Sequence, residues 1–101
     1  MAIAAHFVNK PDPGARDRYT TALRRLDALG ARDPDGRQSH TAWIVGSELH
    51  VLDVWESQDK LDAYFRETLG ELIAESGLVL AKPPEIGDVV QVLLPSSPAQ
   101  G

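Results

Sequence analysis

The sequence predicts an α+β fold: a ferredoxin-like β-α-β-β-α-β unit with a four-stranded antiparallel sheet. Three observations carry this prediction. Short β-rich runs alternate with two segments whose apolar residues recur at helical spacing. The two central runs are separated by Gly46-Ser47, a two-residue hairpin signal. The strands carry apolar side chains on both faces, whereas two helices can cover only one face of such a sheet. The uncovered face therefore calls for a second copy of the chain, and a homodimer formed through the sheet face is expected.

The first strand is expected at residues 2–9, with Ile3, Ala5 and Phe7 on one face and Ala4, His6 and Val8 on the other. Lys10-Pro-Asp-Pro-Gly14 ends it, because proline cannot donate to a ladder. A helix is expected from about residue 15 to 29. Tyr19, Ala22, Leu23, Leu26 and Leu29 form its apolar stripe, and Gly30 stops it. Asp33-Pro-Asp-Gly36 is a turn. Ser57 suits the N-cap of a second helix, with Asp59 in its first turn. That helix buries Leu61, Tyr64, Phe65, Leu69, Leu72 and Ile73, and Asp62 and Arg66 can pair across one turn of it. Gly70 inside the helix costs about 1 kcal/mol relative to alanine and predicts a kink or break. Gly77 ends the helix, Lys82-Pro-Pro-Glu85 is a linker, and residues 86–94 are the last strand. The folded domain is expected to span residues 1–95, with 96–101 a flexible tail.

The stretch from Arg37 to Ser57 organises the rest. Glycine at the first central position suits a type II′ turn, which fixes the register of the hairpin. Ile44 then faces Leu49, Ala42 faces Val51, His40 faces Asp53 and Gln38 faces Trp55, all on one side of the sheet. An imidazole and a carboxylate become cross-strand neighbours in a largely apolar patch.

Net charge is −5, which argues against a phosphate-backbone binder and against attraction to anionic lipid. No apolar run approaches the ~20 residues of a membrane span, and the short N-terminal apolar run reads as a strand, not a signal peptide. Neither a nucleic-acid nor a membrane partner is expected, and the expected location is cytoplasmic. The absence of cysteine removes disulfides, thiolate nucleophiles and zinc–thiolate sites together. His6, His40 and His50 lack metal-ligand spacing, and nothing selects one as a haem ligand. No glycine-rich phosphate loop and no G-x-S-x-G elbow occurs. No cofactor is expected.

The segment Asp53-Val-Trp-Glu-Ser57, followed by a helix carrying Tyr64-Phe65 and Leu69-Gly70, resembles the dimeric α+β barrel superfamily. Within it the chain is most similar to small antibiotic-biosynthesis-monooxygenase-like proteins. The resemblance implies a homodimer whose two sheets form a barrel, with a pocket between each sheet and its own helices. The superfamily includes cofactor-independent oxygenases of aromatic polyketides, polyketide cyclases, isomerases, decarboxylases and haem-degrading enzymes.

His40 and Asp53 are the expected catalytic pair. Imidazole takes and returns protons near neutral pH, and a carboxylate beside it fixes its tautomer. Trp55, Phe65 and His6 are expected to line the substrate site, and Tyr19 and Tyr64 to reach in from the helices and donate hydrogen bonds to a developing oxyanion. His50 and Trp43 are expected on the opposite, dimer-forming face. The reading is a cofactor-independent enzyme of small-molecule metabolism that forms an enolate or phenolate of a small aromatic or polyketide-like substrate. Reaction of that anion with O2 gives a monooxygenase; attack on an internal carbonyl gives a cyclase or isomerase. A non-catalytic dimeric binding protein would use the same pocket.

Overall fold

The computed structural model describes residues 1–93; the expected tail at 96–101 and Leu94 lie outside the described residues. The elements run β1 (Ile3–Val8), α1 (Ala15–Ala28), β2 (Arg37–Val45), β3 (Glu48–Trp55), α2 (Gln58–Tyr64), a π-helical turn (Phe65–Leu69), α3 (Gly70–Ser76) and β4 (Glu85–Asp88). The sheet order is β2-β3-β1-β4, every pair antiparallel. This is the ferredoxin-like arrangement, with both helical segments on one face.

The hairpin adopts the expected register: Ile44 opposes Leu49, Ala42 opposes Val51 and His40 opposes Asp53. Gly46 has φ +62° and Ser47 does not have positive φ, the combination a type II′ turn requires. Beyond His40 the register departs from expectation. A bulge between Arg37 and Ser39 makes Arg37, not Gln38, the partner of Trp55. Gln38 is the supernumerary residue, and the bulge turns Arg37 onto the helix-covered side.

Ser57 caps α2 as expected, its Oγ accepting from the Lys60 backbone N–H at 3.3 Å. The predicted break near Gly70 takes a definite form. The Gly70 N–H donates to the Phe65 carbonyl, one residue further back than in an α-helix, which widens this turn. A Cβ on Gly70 would lie 2.9 Å from the Phe65 carbonyl oxygen and 3.1 Å from the Phe65 ring, so only glycine fits without displacement. The extra residue also removes the α-helical phase, and the expected Asp62–Arg66 pair is replaced by Arg66–Glu67 at 3.5 Å.

Two further expectations are corrected. Leu29 is the C-cap of α1 and is exposed, because the helix ends before its stripe reaches that position. The last strand is much shorter than 86–94. It ends at Asp88, which opposes Ile3, the first residue of β1. Past that point the neighbouring strand has run out, and one more bond, from the Val89 N–H to the Ala2 carbonyl, completes the pairing.

The core lies between sheet and helices. Ile3, Ala5, Ala22, Leu26, Trp55, Leu61, Tyr64 and Leu72 form its larger cluster, and Ala15, Leu49 and Leu78 a smaller one. Trp55 is fully buried, and its replacement by alanine would cost about 3–5 kcal/mol. On the other face Trp43, Val45 and Leu52 are exposed. Among the described residues no helix is long and apolar enough to cross a membrane.

Candidate active site

Between the two core clusters the helices stand away from the sheet and leave a cavity of about 110 Å³, open to solvent on one side. The sheet contributes Phe7, Val51, His40 and Asp53; the helices contribute Tyr19, Leu23, Phe65 and Ile73. Its wall is hydrocarbon over most of its area. The π turn places Phe65 and Leu69 on that wall together with Tyr64.

Against this apolar wall runs one chain of polar groups. His40 Nδ1 lies 2.5 Å from Asp53 Oδ1, and His40 Nε2 lies 2.6 Å from the Tyr19 hydroxyl. A carboxylate only accepts, so Nδ1 carries the imidazole proton and donates it to Asp53. Nε2 is then the acceptor, and the Tyr19 O–H donates to it. The second carboxylate oxygen, Asp53 Oδ2, accepts from the Trp55 indole N–H at 3.2 Å. Asp53 is buried and both of its oxygens are engaged, as a buried carboxylate requires. The Tyr19 and His40 rings stack, with planes 15° apart.

Burial raises the Tyr19 phenol above its ordinary pKa, and the Asp53 charge adds to the rise; the Arg37 and Arg32 guanidiniums pull it back. Burial likewise raises Tyr64, against Arg37. Both phenols are therefore neutral hydrogen-bond donors at physiological pH.

The structure brings His40, Asp53, Tyr19, Tyr64 and Phe65 together around the cavity. Tyr64 contributes its ring, but its hydroxyl donates to the Ala31 carbonyl at 2.9 Å, so it is not the free donor expected. Trp55 does not reach the cavity. It shares the sheet face with Asp53 but sits at the sheet end under α2, fully buried against Tyr64 at 5.6 Å between ring centroids. Its role is to hold Asp53. His6 is on the wrong side. β1 aligns Ala5 with Asp53, and alternation then sends the His6 side chain to the open face, where its Nε2 lies 3.1 Å from His50 Nδ1 and its ring stacks on Trp43. His50 and Trp43 oppose each other on that face as expected.

Three polar lining residues escaped the sequence reading: Asn9, Arg32 and Arg37. Asn9 is buried just past β1, and its side-chain amide donates to the Leu49 carbonyl. Only the strand bulge turns Arg37 inward, and no residue pattern announces it. Among the described residues no group of three or more His, Asp or Glu side chains is placed to hold a metal.

No protein-family model matches the chain, and neither does any curated protein. Solved structures do. The chain is similar to SnoaB of Streptomyces nogalater, a cofactor-independent oxygenase, with 16% identity, a TM-score of 0.59, and 91% of this chain and 94% of that one covered. A protein of Chloroflexus aurantiacus provisionally assigned as an antibiotic biosynthesis monooxygenase is 18% identical with a TM-score of 0.66, covering 92% and 97%. Rv0793 of Mycobacterium tuberculosis is 21% identical with a TM-score of 0.63, covering 95% and 100%. The chain has the fold of the antibiotic-biosynthesis-monooxygenase-like proteins.

Proposed function

We propose that this chain is a cofactor-independent oxygenase acting on a small aromatic substrate with an ionisable C–H or O–H, of the anthrone or naphthol type. The observation that carries the reading is the hydrogen-bonded chain from Asp53 through His40 to Tyr19, running along the wall of an apolar cavity. The oxygenase branch is supported by the shared fold with SnoaB.

Tyr19 occupies the one imidazole nitrogen that could act as base, so the proton path passes through its hydroxyl. As Tyr19 gives its proton to His40 Nε2, its oxygen accepts the substrate's, and Asp53 stabilises the imidazolium that results. The substrate is left as a carbanion or phenolate against a largely hydrocarbon wall. For an anthrone-type methylene, addition of this carbanion to O2 and reprotonation give a hydroperoxide. Loss of water then leaves a carbonyl. One O2 enters, one oxygen atom stays in the product and the other leaves as water, so no external reductant is needed. The same chain is proposed to work as a homodimer joined through the open sheet face, where Trp43, Val45 and Leu52 are exposed.

Oxygen uptake with an anthrone tests the reading. The wild-type protein is expected to consume one O2 per product formed, and Tyr19→Phe and His40→Ala to lower turnover by about 10²–10⁴-fold. Product appearing at full rate under strict anaerobiosis would replace the oxygenase by a cyclase using the same base. Turnover that survives both substitutions would remove the proton chain from the mechanism.

A further inference from the structure

The cavity has a cationic end that the proton chain does not use. Arg37, at the start of β2, and Arg32, in the loop before it, both line the cavity, Arg37 half-buried and Arg32 exposed. The chain as a whole carries −5, so two cations beside an apolar cavity run against its overall charge. Among the described residues neither guanidinium has a carboxylate within 4.0 Å, although Lys60, Arg18 and Arg25 elsewhere all do. Asp53 is not their counter-ion, since His40 and Trp55 occupy its two oxygens. Arg37 is held in place: one of its Nη2 N–H groups donates to the Arg32 carbonyl at 2.6 Å, which leaves most of its five donors for a ligand. Both arginines line the same cavity as Tyr19 and Tyr64, so the two cations border the space where a substrate would lie.

We propose that Arg32 and Arg37 form a recognition site for a carboxylate on the substrate, so that the protein selects aromatic acids over their neutral analogues. A planar guanidinium matches a carboxylate with two parallel hydrogen bonds, and the low dielectric of the adjoining wall strengthens them. The acid end anchors at the two arginines, and the ring extends along Phe65 and Leu69 past the Tyr19 hydroxyl. This rests on the cavity being the substrate site, but not on the reaction performed there.

Calorimetric titration with 2-naphthoate and 2-naphthamide, two probes of nearly equal shape, tests it. The wild-type protein is expected to bind the acid about tenfold or more tightly than the amide, as hydrogen bonds to charged groups imply. Arg37→Met is expected to reduce that ratio to near unity with the amide still bound, which also shows that the cavity is intact. Arg37→Lys is expected to keep part of it, and Arg32→Met to lower it less. Equal affinity of acid and amide for the wild-type protein overturns the proposal, as does a ratio that survives both Met substitutions, or no binding of either probe at millimolar concentration. An acid preference in a protein that consumes no O2 would leave this inference standing and remove the oxygenase. Oxygen uptake without an acid preference would do the reverse.

Discussion

The two faces of the sheet carry similar chemistry in different surroundings. On the helix-covered face His40 is held between a buried carboxylate and a phenol. On the open face His6 and His50 lie 3.1 Å apart, His50 is 3.1 Å from Glu48, His6 is 3.8 Å from Glu85, and Trp43 stacks on both rings. Residue type alone would rank the open-face cluster higher, since it has more imidazoles and more carboxylates. The apolar cavity lies on the other face, Glu85 is largely solvated and Glu48 is half-buried. A histidine–carboxylate pair becomes a candidate base when one partner is buried, both carboxylate oxygens are satisfied and a roof of hydrocarbon leaves room for a substrate. The open-face cluster has the composition of an interface, with aromatic rings and aliphatic side chains around polar groups that pair with each other.

Four tests would break or sharpen this contrast. The largest effect is expected on turnover. His40→Ala and Asp53→Asn should each lower kcat by about 10²–10⁴-fold, whereas His50→Ala should leave it within about a factor of two. Steady-state oxygen uptake decides this, and equal losses for His40 and His50 would erase the distinction between the faces. Next, Leu52→Asp puts a charge in the proposed interface and should weaken a homodimer by roughly 3 kcal/mol. Light scattering behind gel filtration should then show a dimer becoming a monomer, with near-ultraviolet spectra of the Trp55 environment preserved. A wild-type protein that is monomeric at all concentrations would deny the open face that role.

A smaller effect concerns the roof. Gly70→Ala forces a methyl group against the Phe65 carbonyl and ring, and overpacking of this kind costs about 1–3 kcal/mol. Chemical denaturation should report that loss together with weaker ligand binding, because Phe65 lines the cavity. Unchanged stability would mean the π turn relaxes freely. The smallest effect is on alkaline stability. The Tyr19 phenol is raised by burial and then by Asp53, so the folded chain holds its proton more tightly than the unfolded chain. The resulting stabilisation is complete below the unfolded value of about 10 and drains away as pH climbs through the raised folded value. Tyr19→Phe should flatten the fall of melting temperature above about pH 10. Tyr64, raised likewise by burial, should retain the remainder.

Much of the site was legible because side chains in a strand have a period of two. Gly46-Ser47 set the hairpin register, and the register put His40 against Asp53. The same alternation separated His6 from Phe7. What the sequence could not say was which face of β1 the helices would cover, since Ala4 and Val8 are as apolar as Ala5 and Ile3. The fate of Trp55 was hidden for a related reason. Facing the right side does not distinguish a residue under the helices from one under the cavity; the position of Tyr64 above it does. β4 was overread from its valines, because strand length is set by the available partner and β1 starts only at Ile3. Arg37 was invisible because strand bulges depend on tertiary packing and leave little local mark.

The bulge at Gln38 and the widened turn at 65–69 are each one residue longer than the regular element would be, and both border the cavity. Their effect on the chain is a change of phase. Ironing out the bulge with Gln38 kept in the ladder would swing Arg37 to the opposite side of the sheet, and winding residues 65–69 as regular α-helix would rotate everything after them by about 100° around the helix axis. Regularising either element would therefore act on one end of the ligand chamber, the first removing its cation and the second turning Ile73 off its wall, while the hairpin that seats the imidazole stays in frame.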